Sequence, residues 1–257
     1  MDGLAIRFIG SGDAFGSGGR FNTCLLTSLG RARFLVDCGA SSLVALRQQE
    51  VDPNELGLVL ITHLHGDHFG GLPFLLMDAK HVSRREHPLL LAGPPGLEAR
   101  LQAAMELFFP GSSAATPRFD LRYLTLSPGE STSLPLLDST GRTLAEIDVE
   151  PFEVSHPSGA PSYAYRIQAG GRRFAYSGDT AWCQGLVEAA RDTHLLITEC
   201  CSYENELKHH LSYKKIQAHR AELATPRIIY THMNPDMLAR IPELEEEFAA
   251  DGLEVQV

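Results

Sequence analysis

Basic charge is in short supply in this chain. Its 257 residues carry 22 Lys and Arg against 32 Asp and Glu, a formal net charge of −10. A protein that grips a long polyanion usually shows a basic footprint, so this balance argues against a large RNA substrate. Long apolar runs are missing as well. None approaches the roughly 20 residues of a bilayer-spanning helix, and no membrane partner is expected. The stretch Met1 to Arg7 lacks the basic region and apolar core of a secretory signal, so a cytoplasmic location is expected. Cysteine is sparse and odd in number: Cys24, Cys38, Cys183, Cys200 and Cys201 make no disulfide framework. None stands in a Cys-x-x-Cys pair, which argues against a zinc ribbon. Most read as small buried hydrophobes, although Cys200 and Cys201 follow an apolar run and could lie near a functional site; the inert reading is preferred. With no tandem repeat and no low-complexity linker, residues 1–257 read as one domain. The 44% hydrophobic content suffices for a sizeable core.

What is present is a strand-rich pattern in two halves. Leu4 to Ile9 reads as a strand, followed by a glycine-rich loop from Gly10 to Gly19. Thr23–Thr27 and Arg33–Val36 read as a hairpin about Ser28-Leu29-Gly30. The glycine loop lacks the Gly-Lys-Ser/Thr ending and the following helix of a phosphate-binding loop. It reads as a turn that brings backbone close to a site. A short helix is expected from Ser41 or Ser42 to Gln49, another after Gly71, and an amphipathic one from Leu97 to Phe108. Pro110 to Pro117 reads as a flexible loop that could form part of a substrate-facing rim. In the second half, strands are expected at Thr143–Val154, Tyr163–Ile167, Arg173–Tyr176, Leu195–Thr198 and Arg227–Tyr230. Helices are expected at Gln184–Arg191, Tyr213–Leu223 and part of Met237–Ala249. The acidic run Glu243 to Glu247 reads as a solvated helix face. Two facing sheets with helices outside are the expected arrangement.

The chemistry is concentrated in Thr62-His63-Leu64-His65-Gly66-Asp67-His68-Phe69-Gly70-Gly71. It follows the apolar run Leu58-Val59-Leu60-Ile61, which reads as a buried strand delivering functional groups at its carboxyl end. Four polar side chains in six positions cannot fill a core without partners. Imidazole and carboxylate are metal ligands, so the loop reads as a metal site. One loop supplies too few donors for two ions. Three later strand ends offer more: His156 in Glu153-Val154-Ser155-His156, Asp179 in Tyr176-Ser177-Gly178-Asp179-Thr180, and His232 in Ile228-Ile229-Tyr230-Thr231-His232.

With these motifs the chain resembles the metallo-β-lactamase-fold hydrolase superfamily, over nearly its whole length. The resemblance implies an α/β architecture, a four-layer αβ/βα sandwich. It implies a first zinc held by His63, His65 and His156, a second held by Asp67, His68 and His232, and Asp179 bridging the two. Two Zn2+ are implied, with Mn2+ or another divalent metal as substitutes. Phe8-Ile9-Gly10-Ser11-Gly12, Leu35-Val36-Asp37-Cys38-Gly39 and Ala92-Gly93-Pro94-Pro95-Gly96-Leu97 are similar to short motifs of the ribonuclease Z and phosphodiesterase branch. His210-Leu211-Ser212 resembles that branch's His-Ser-Thr element, with leucine where serine is usual. The glycine- and proline-rich insertion that clamps tRNA in ribonuclease Z is not evident.

The implied activity is a phosphodiesterase using a metal-bridging hydroxide, with Asp67 orienting the nucleophile and His210 as general acid. The other reading of His210 is a helix-capping histidine. Asp37 and Glu199, at strand ends, are candidates for orienting the ligand histidines, with a cap or turn as the alternative. His81, His87, His194 and His219 read as surface or structural. Tyr163, Tyr165 and Tyr203 read as pocket or packing residues. The expected substrate is a small phosphodiester or ester, cyclic or linear, in preference to a large RNA. A homodimer is expected by resemblance alone. Hydrolysis of a thioester, lactone or other carbonyl ester on the same fold is the alternative enzyme. A non-hydrolytic metal-binding or redox protein is the alternative from another class.

Overall fold

The first strand already shows how the molecule is layered. In β1 (Leu4–Gly10) Leu4, Ile6 and Phe8 point to one face and Ile9 to the other, as strand alternation requires. The computed structural model describes residues 3–112, 118–138 and 140–257. The glycine loop leads into β2 (Cys24–Leu29) and β3 (Ala32–Val36), an antiparallel hairpin with Gly30 at φ 59 in its turn. Then follow α1 (Ser42–Gln48), β4 (Leu56–Leu60), α2 (Gly66–Phe69), α3 (Leu72–His81), β5 (Leu89–Gly93), α4 (Leu97–Phe108) and β6 (Leu121–Thr125). The chain continues through β7 (Thr132–Leu137), β8 (Thr143–Val154), β9 (Ser162–Ala169), β10 (Arg172–Tyr176), α5 (Gln184–Ala190) and β11 (Leu195–Glu199). It ends with α6 (Tyr213–Ala218), β12 (Ile228–Thr231), α7 (Pro235–Arg240), β13 (Glu247–Phe248) and β14 (Glu254–Gln256).

Two seven-stranded sheets result, ordered β14-β1-β2-β3-β4-β5-β6 and β13-β12-β11-β10-β9-β8-β7. Each combines antiparallel strands with a parallel run, β3 to β6 in the first and β10 to β13 in the second. Their inner faces share one core, where Phe8, Phe34 and Leu58 meet Tyr165, Phe174 and Ile197. The outer face of the first sheet is covered by α1, α3 and α4, through Leu46, Leu72, Leu75 and Leu101. The outer face of the second is covered by α5, α6 and α7, through Leu186, Ile216 and Met237. This is the expected four-layer sandwich. Strands buried on both faces read as continuous apolar runs, which is why β4 and β11 stand out in the sequence.

Several elements differ from expectation. Glu243 to Glu247 is not a helix face: Pro242 sits in a single tight turn, and Glu247 opens β13. Glu246 accepts from the Tyr213 hydroxyl at 2.5 Å, and Glu247 pairs with Arg227 at 2.6 Å, so the charges tie this segment to α6 and β12. The helix expected over Tyr213–Leu223 stops at Ala218 and resumes as one turn over Arg220–Glu222. The edge strands β6, β7 and β14 carry too few apolar residues in alternation to announce themselves. The expected rim loop Pro110–Pro117 lies in part, residues 113–117, outside the described residues. Among the described residues no helix is long and apolar enough to cross a membrane.

Candidate metal centre

The site forms because parallel neighbours end on the same side of a sheet. β10, β11 and β12 are in parallel register, with Tyr176 opposite Ile197 and Glu199 opposite Thr231. Glu199 closes β11, and Asp179 and His232 follow the ends of β10 and β12. Across the core, β3 and β4 likewise end together, at Asp37 and the histidine loop. The Tyr163 amide helps tie the two sheets at this point, donating to the Thr62 carbonyl at 3.0 Å.

Close backbone packing shapes the histidine loop. The amide of Cys38 donates to the His68 carbonyl at 2.6 Å, and Gly71 donates to the Cys38 carbonyl at 2.8 Å. A Cβ on Gly39 would lie 2.1 Å from the Asp67 carbonyl oxygen, and one on Gly71 would lie 2.2 Å from the Gly39 carbonyl oxygen. Only glycine permits that approach. Asp37 (φ 61), His209 (φ 68) and His232 (φ 57) adopt left-handed backbone, a conformation that concentrates at functional sites because surrounding structure must hold it.

All seven expected ligand residues converge. His63, His65 and His156 form one set of donors, and Asp67, His68, Asp179 and His232 a second, each with its ligand atoms within 4.8 Å of one another. Asp179 stands between them. Its Oδ1 is 3.2 Å from His68 Nε2, and its Oδ2 is 3.4 Å from His232 Nε2 and 3.9 Å from Nε2 of both His63 and His156. Asp67 Oδ2 lies 3.2 Å from Nε2 of His68 and of His232.

The opposite ring nitrogens are held by the protein. His68 Nδ1 donates to Asp37 Oδ2 at 2.7 Å, and His156 Nδ1 donates to the His209 carbonyl at 3.0 Å. Thr62 Oγ1 lies 3.1 Å from His63 Nδ1 and also bonds Asp37. Such contacts select the tautomer whose other nitrogen keeps its lone pair for a metal. Three buried atoms aimed into the cluster make no hydrogen bond: His63 Nε2, His68 Nε2 and Asp179 Oδ1. Buried polar atoms are rarely left so, and divalent ions bound by imidazole and carboxylate would satisfy them.

The electrostatics fall into two parts. Burial keeps His63, His65 and His156 neutral, with His156 lowered to about 4. Burial opposes charge on His68 and His232 as well. There the carboxylates, Asp179 foremost, outweigh it and raise both imidazoles well above their usual value. Burial likewise opposes the charge on Asp67 and Asp179, yet His68 and His232 hold both carboxyls well below their usual range. Protons and metal ions compete for the same lone pairs, so a bound cation would replace those protons.

Of the other candidates, Asp37 bonds a ligand histidine, His68, as expected, whereas Glu199 bonds His210, which is not among the expected ligands. Glu199 Oε2 accepts from His210 Nδ1 and from the Leu211 amide, each at 3.2 Å. Burial raises the Glu199 carboxyl; burial opposes the His210 charge, but the bond to Glu199 raises it. His210 lies 4.0 Å from Asp179, and the cap of α6 is Ser212 instead. Tyr163 and Tyr165 belong to the inter-sheet core; the Tyr165 hydroxyl donates to the Ile61 carbonyl at 2.7 Å, steadying the strand before the histidine loop. Tyr203 stacks on Tyr213. His87 bonds the Asn54 carbonyl and His219 stacks on Trp182, while His81 is exposed and His194 bonds the Arg173 backbone. Sequence reasoning missed two members of the site. The His209 carbonyl has no side-chain signature. Cys201, read as inert, joins Glu199, His210 and His232 in a cluster with donor atoms within 4.8 Å.

The family model for anti-Pycsar protein Apyc1 matches residues 4–250. The chain belongs to this family. It is 32% identical to the uncharacterized protein Rv1339 of Mycobacterium tuberculosis over 207 residues, 78% of this chain and 70% of that protein. It is 23% identical to ribonuclease Z of Methanosarcina mazei over 274 aligned positions, covering 90% of this chain and 88% of that one. The metallo-β-lactamase fold protein YhfI from Bacillus subtilis superposes with a TM-score of 0.73 at 20% identity, over all of both chains. The fold of this family member is therefore the metallo-β-lactamase fold.

Proposed function

We propose that this protein is a di-zinc phosphodiesterase of the ribonuclease Z-like type, acting on a small phosphodiester, cyclic or linear. The observation that carries the reading is the pair of donor sets with Asp179 placed between them and His210, backed by Glu199, beside it. His63, His65 and His156 would hold one ion, Asp67, His68 and His232 the other, and Asp179 both. Bound there, the ions would supply Lewis-acid stabilisation of phosphoryl charge and a nucleophilic hydroxide near neutral pH.

The remaining work falls to the chain's own side chains. Asp67, held ionised beside His68 and His232, orients the attacking nucleophile by accepting its hydrogen bond. His210 Nδ1 is bonded to buried Glu199, which favours the imidazolium. The proton on its other nitrogen is then available to the departing alkoxide. A net charge of −10 and the absence of the tRNA-clamping insertion favour a small substrate over a long polyanion.

Protein reconstituted with Zn2+ should hydrolyse bis-p-nitrophenyl phosphate faster than an acyl thioester or a homoserine-type lactone. Preference for the carbonyl substrates would replace this reading with the carbonyl-ester one. Full metal loading with no hydrolysis of any ester would leave a non-hydrolytic metal protein.

A further inference from the structure

Donor side chains at the centre extend beyond those assigned to the two ions. Glu199, Cys201, His210 and His232 form a set of their own, with donor atoms within 4.8 Å of one another. A carboxylate, a thiol and two imidazoles are the donor types of a closed, four-coordinate zinc site. The set is interior: Glu199, Cys201 and His232 are 1%, 7% and 2% exposed. Half-buried His210 forms its open side.

The backbone holds these residues together. Glu199 of β11 lies opposite Thr231 of β12, so Cys201 and His232 leave neighbouring strand ends. The Cys201 amide donates to the Leu211 carbonyl at 2.9 Å, and the Cys201 carbonyl accepts from the Asn234 amide at 2.8 Å. The first of these bonds brings His210 alongside, where its Nδ1 meets Glu199 Oε2 at 3.2 Å. A separate observation points to a ligand. His232 Nδ1 is buried and makes no hydrogen bond, whereas Nδ1 of His68 and of His156 each has an oxygen partner. The Cys201 thiol lies against the same imidazole. His232 Nε2 is turned the other way, toward Asp67 and Asp179, so a ligand on Nδ1 leaves those contacts in place.

We propose that Glu199, Cys201, His210 and His232 form a further metal site for thiophilic divalent ions, Zn2+ in excess or Cd2+, whose occupancy switches hydrolysis off. The donors are Cys201 Sγ, His232 Nδ1, a Glu199 oxygen and a His210 nitrogen. Metal–sulfur and metal–nitrogen bonds replace S–H and N–H bonds, and the released protons go to solvent, since a coordinating thiol is deprotonated. Sulfur sets the selectivity: thiolate suits zinc and softer ions, whereas Mn2+ and Mg2+ favour oxygen. The switch follows from the shared residues. An ion held by His210 and Glu199 occupies the pair that would protonate the leaving group. The switching half of the proposal rests on the phosphodiesterase reading, and the metal-binding half does not.

The test titrates Cd2+ into protein carrying Cys183→Ser, which removes the one cysteine that is not buried. The readout is the ultraviolet charge-transfer band of a cadmium–thiolate bond, which no site built only of histidine and carboxylate gives. The band should rise and saturate at the intensity of a single thiolate. Adding Cys201→Ser should abolish it, and adding Cys200→Ser should not. Glu199→Gln and His210→Ala keep the thiol but should each weaken the Cd2+ affinity read from the band on the order of 10–100-fold. These two variants decide the matter if Cys201→Ser does not fold. No band in the Cys183→Ser protein, a band that survives Cys201→Ser, or affinities within threefold in both donor variants overturn the site. On Zn2+-loaded protein, Cd2+ should inhibit bis-p-nitrophenyl phosphate hydrolysis with the midpoint of the band. A saturated band with hydrolysis unimpaired overturns the switch. Protein that hydrolyses no phosphodiester overturns the phosphodiesterase reading instead, and the band then decides the metal site separately.

Discussion

Replacing Asp37 by Asn changes a single atom in a fully buried triangle. Oδ1 of Asp37 accepts from the Thr62 amide at 2.8 Å, Oδ2 accepts from His68 Nδ1 at 2.7 Å, and Thr62 Oγ1 reaches both oxygens. The backbone there has φ 61, which asparagine tolerates as well as aspartate, so no new backbone strain enters. The amide oxygen of Asn must stay on the Thr62 amide, leaving its NH2 facing His68 Nδ1. Two donors then confront each other unless His68 gives up its Nδ1 proton and keeps one on Nε2. That nitrogen is the one 3.2 Å from Asp67 and from Asp179, where a metal would bind. Loading a metal must then undo the favoured tautomer. The expected fall in metal affinity is about 10–100-fold, or about 1.4–2.7 kcal/mol. Folding stability without metal should fall by about 1–2 kcal/mol, the difference between charge-assisted and neutral hydrogen bonds. Chelator competition measures the first quantity and urea unfolding in excess chelator the second. Metal affinity within threefold of wild type, with the stability loss present, would refute the tautomer argument.

Three further outcomes follow from the geometry. His210→Ala should lower kcat on a phosphodiester about 10²–10⁴-fold while metal content by elemental analysis stays intact; loss of metal would place His210 among the ligands. Gly39→Ala drives a methyl to 2.1 Å from the Asp67 carbonyl oxygen, so stability by denaturant titration should fall by about 3 kcal/mol, and a neutral result would mean the histidine loop shifts freely. Free metal at a hundredfold excess over its dissociation constant should stabilise the fold by about 2.7 kcal/mol, raising the melting temperature by roughly 5–10 °C relative to chelated protein. An unchanged melting temperature would argue that the donor sets do not bind the added ion.

The sequence by itself determined the layered fold and the donor inventory. Strands such as β4 and β11 are buried on both faces, so their apolar runs are continuous, and the polar residues that follow them have nowhere to go except a functional edge. That is why His63, His65, Asp67, His68, His156, Asp179 and His232 were legible without coordinates. Edge strands escaped because one side faces water and their alternation is weak. The acidic run at Glu243–Glu247 misled because charge alone does not distinguish a helix face from a segment held by Tyr213 and Arg227.

Only the tertiary structure decided how the inventory becomes a site. Strand register brings Asp179 between the two donor sets, as the resemblance implied, although no local pattern encodes a relation between residues 63 and 232. A backbone carbonyl at His209, supplied by a left-handed turn, orients His156 and leaves no trace in residue type. Cys201 entered the cluster because β11 ends beside β12. The opening glycine loop looked like a turn that brings backbone near the site. Its fold adds that a buried Asp13 holds Phe15 out in solvent, because only three dimensions reveal which polar group is buried and which ring is left uncovered.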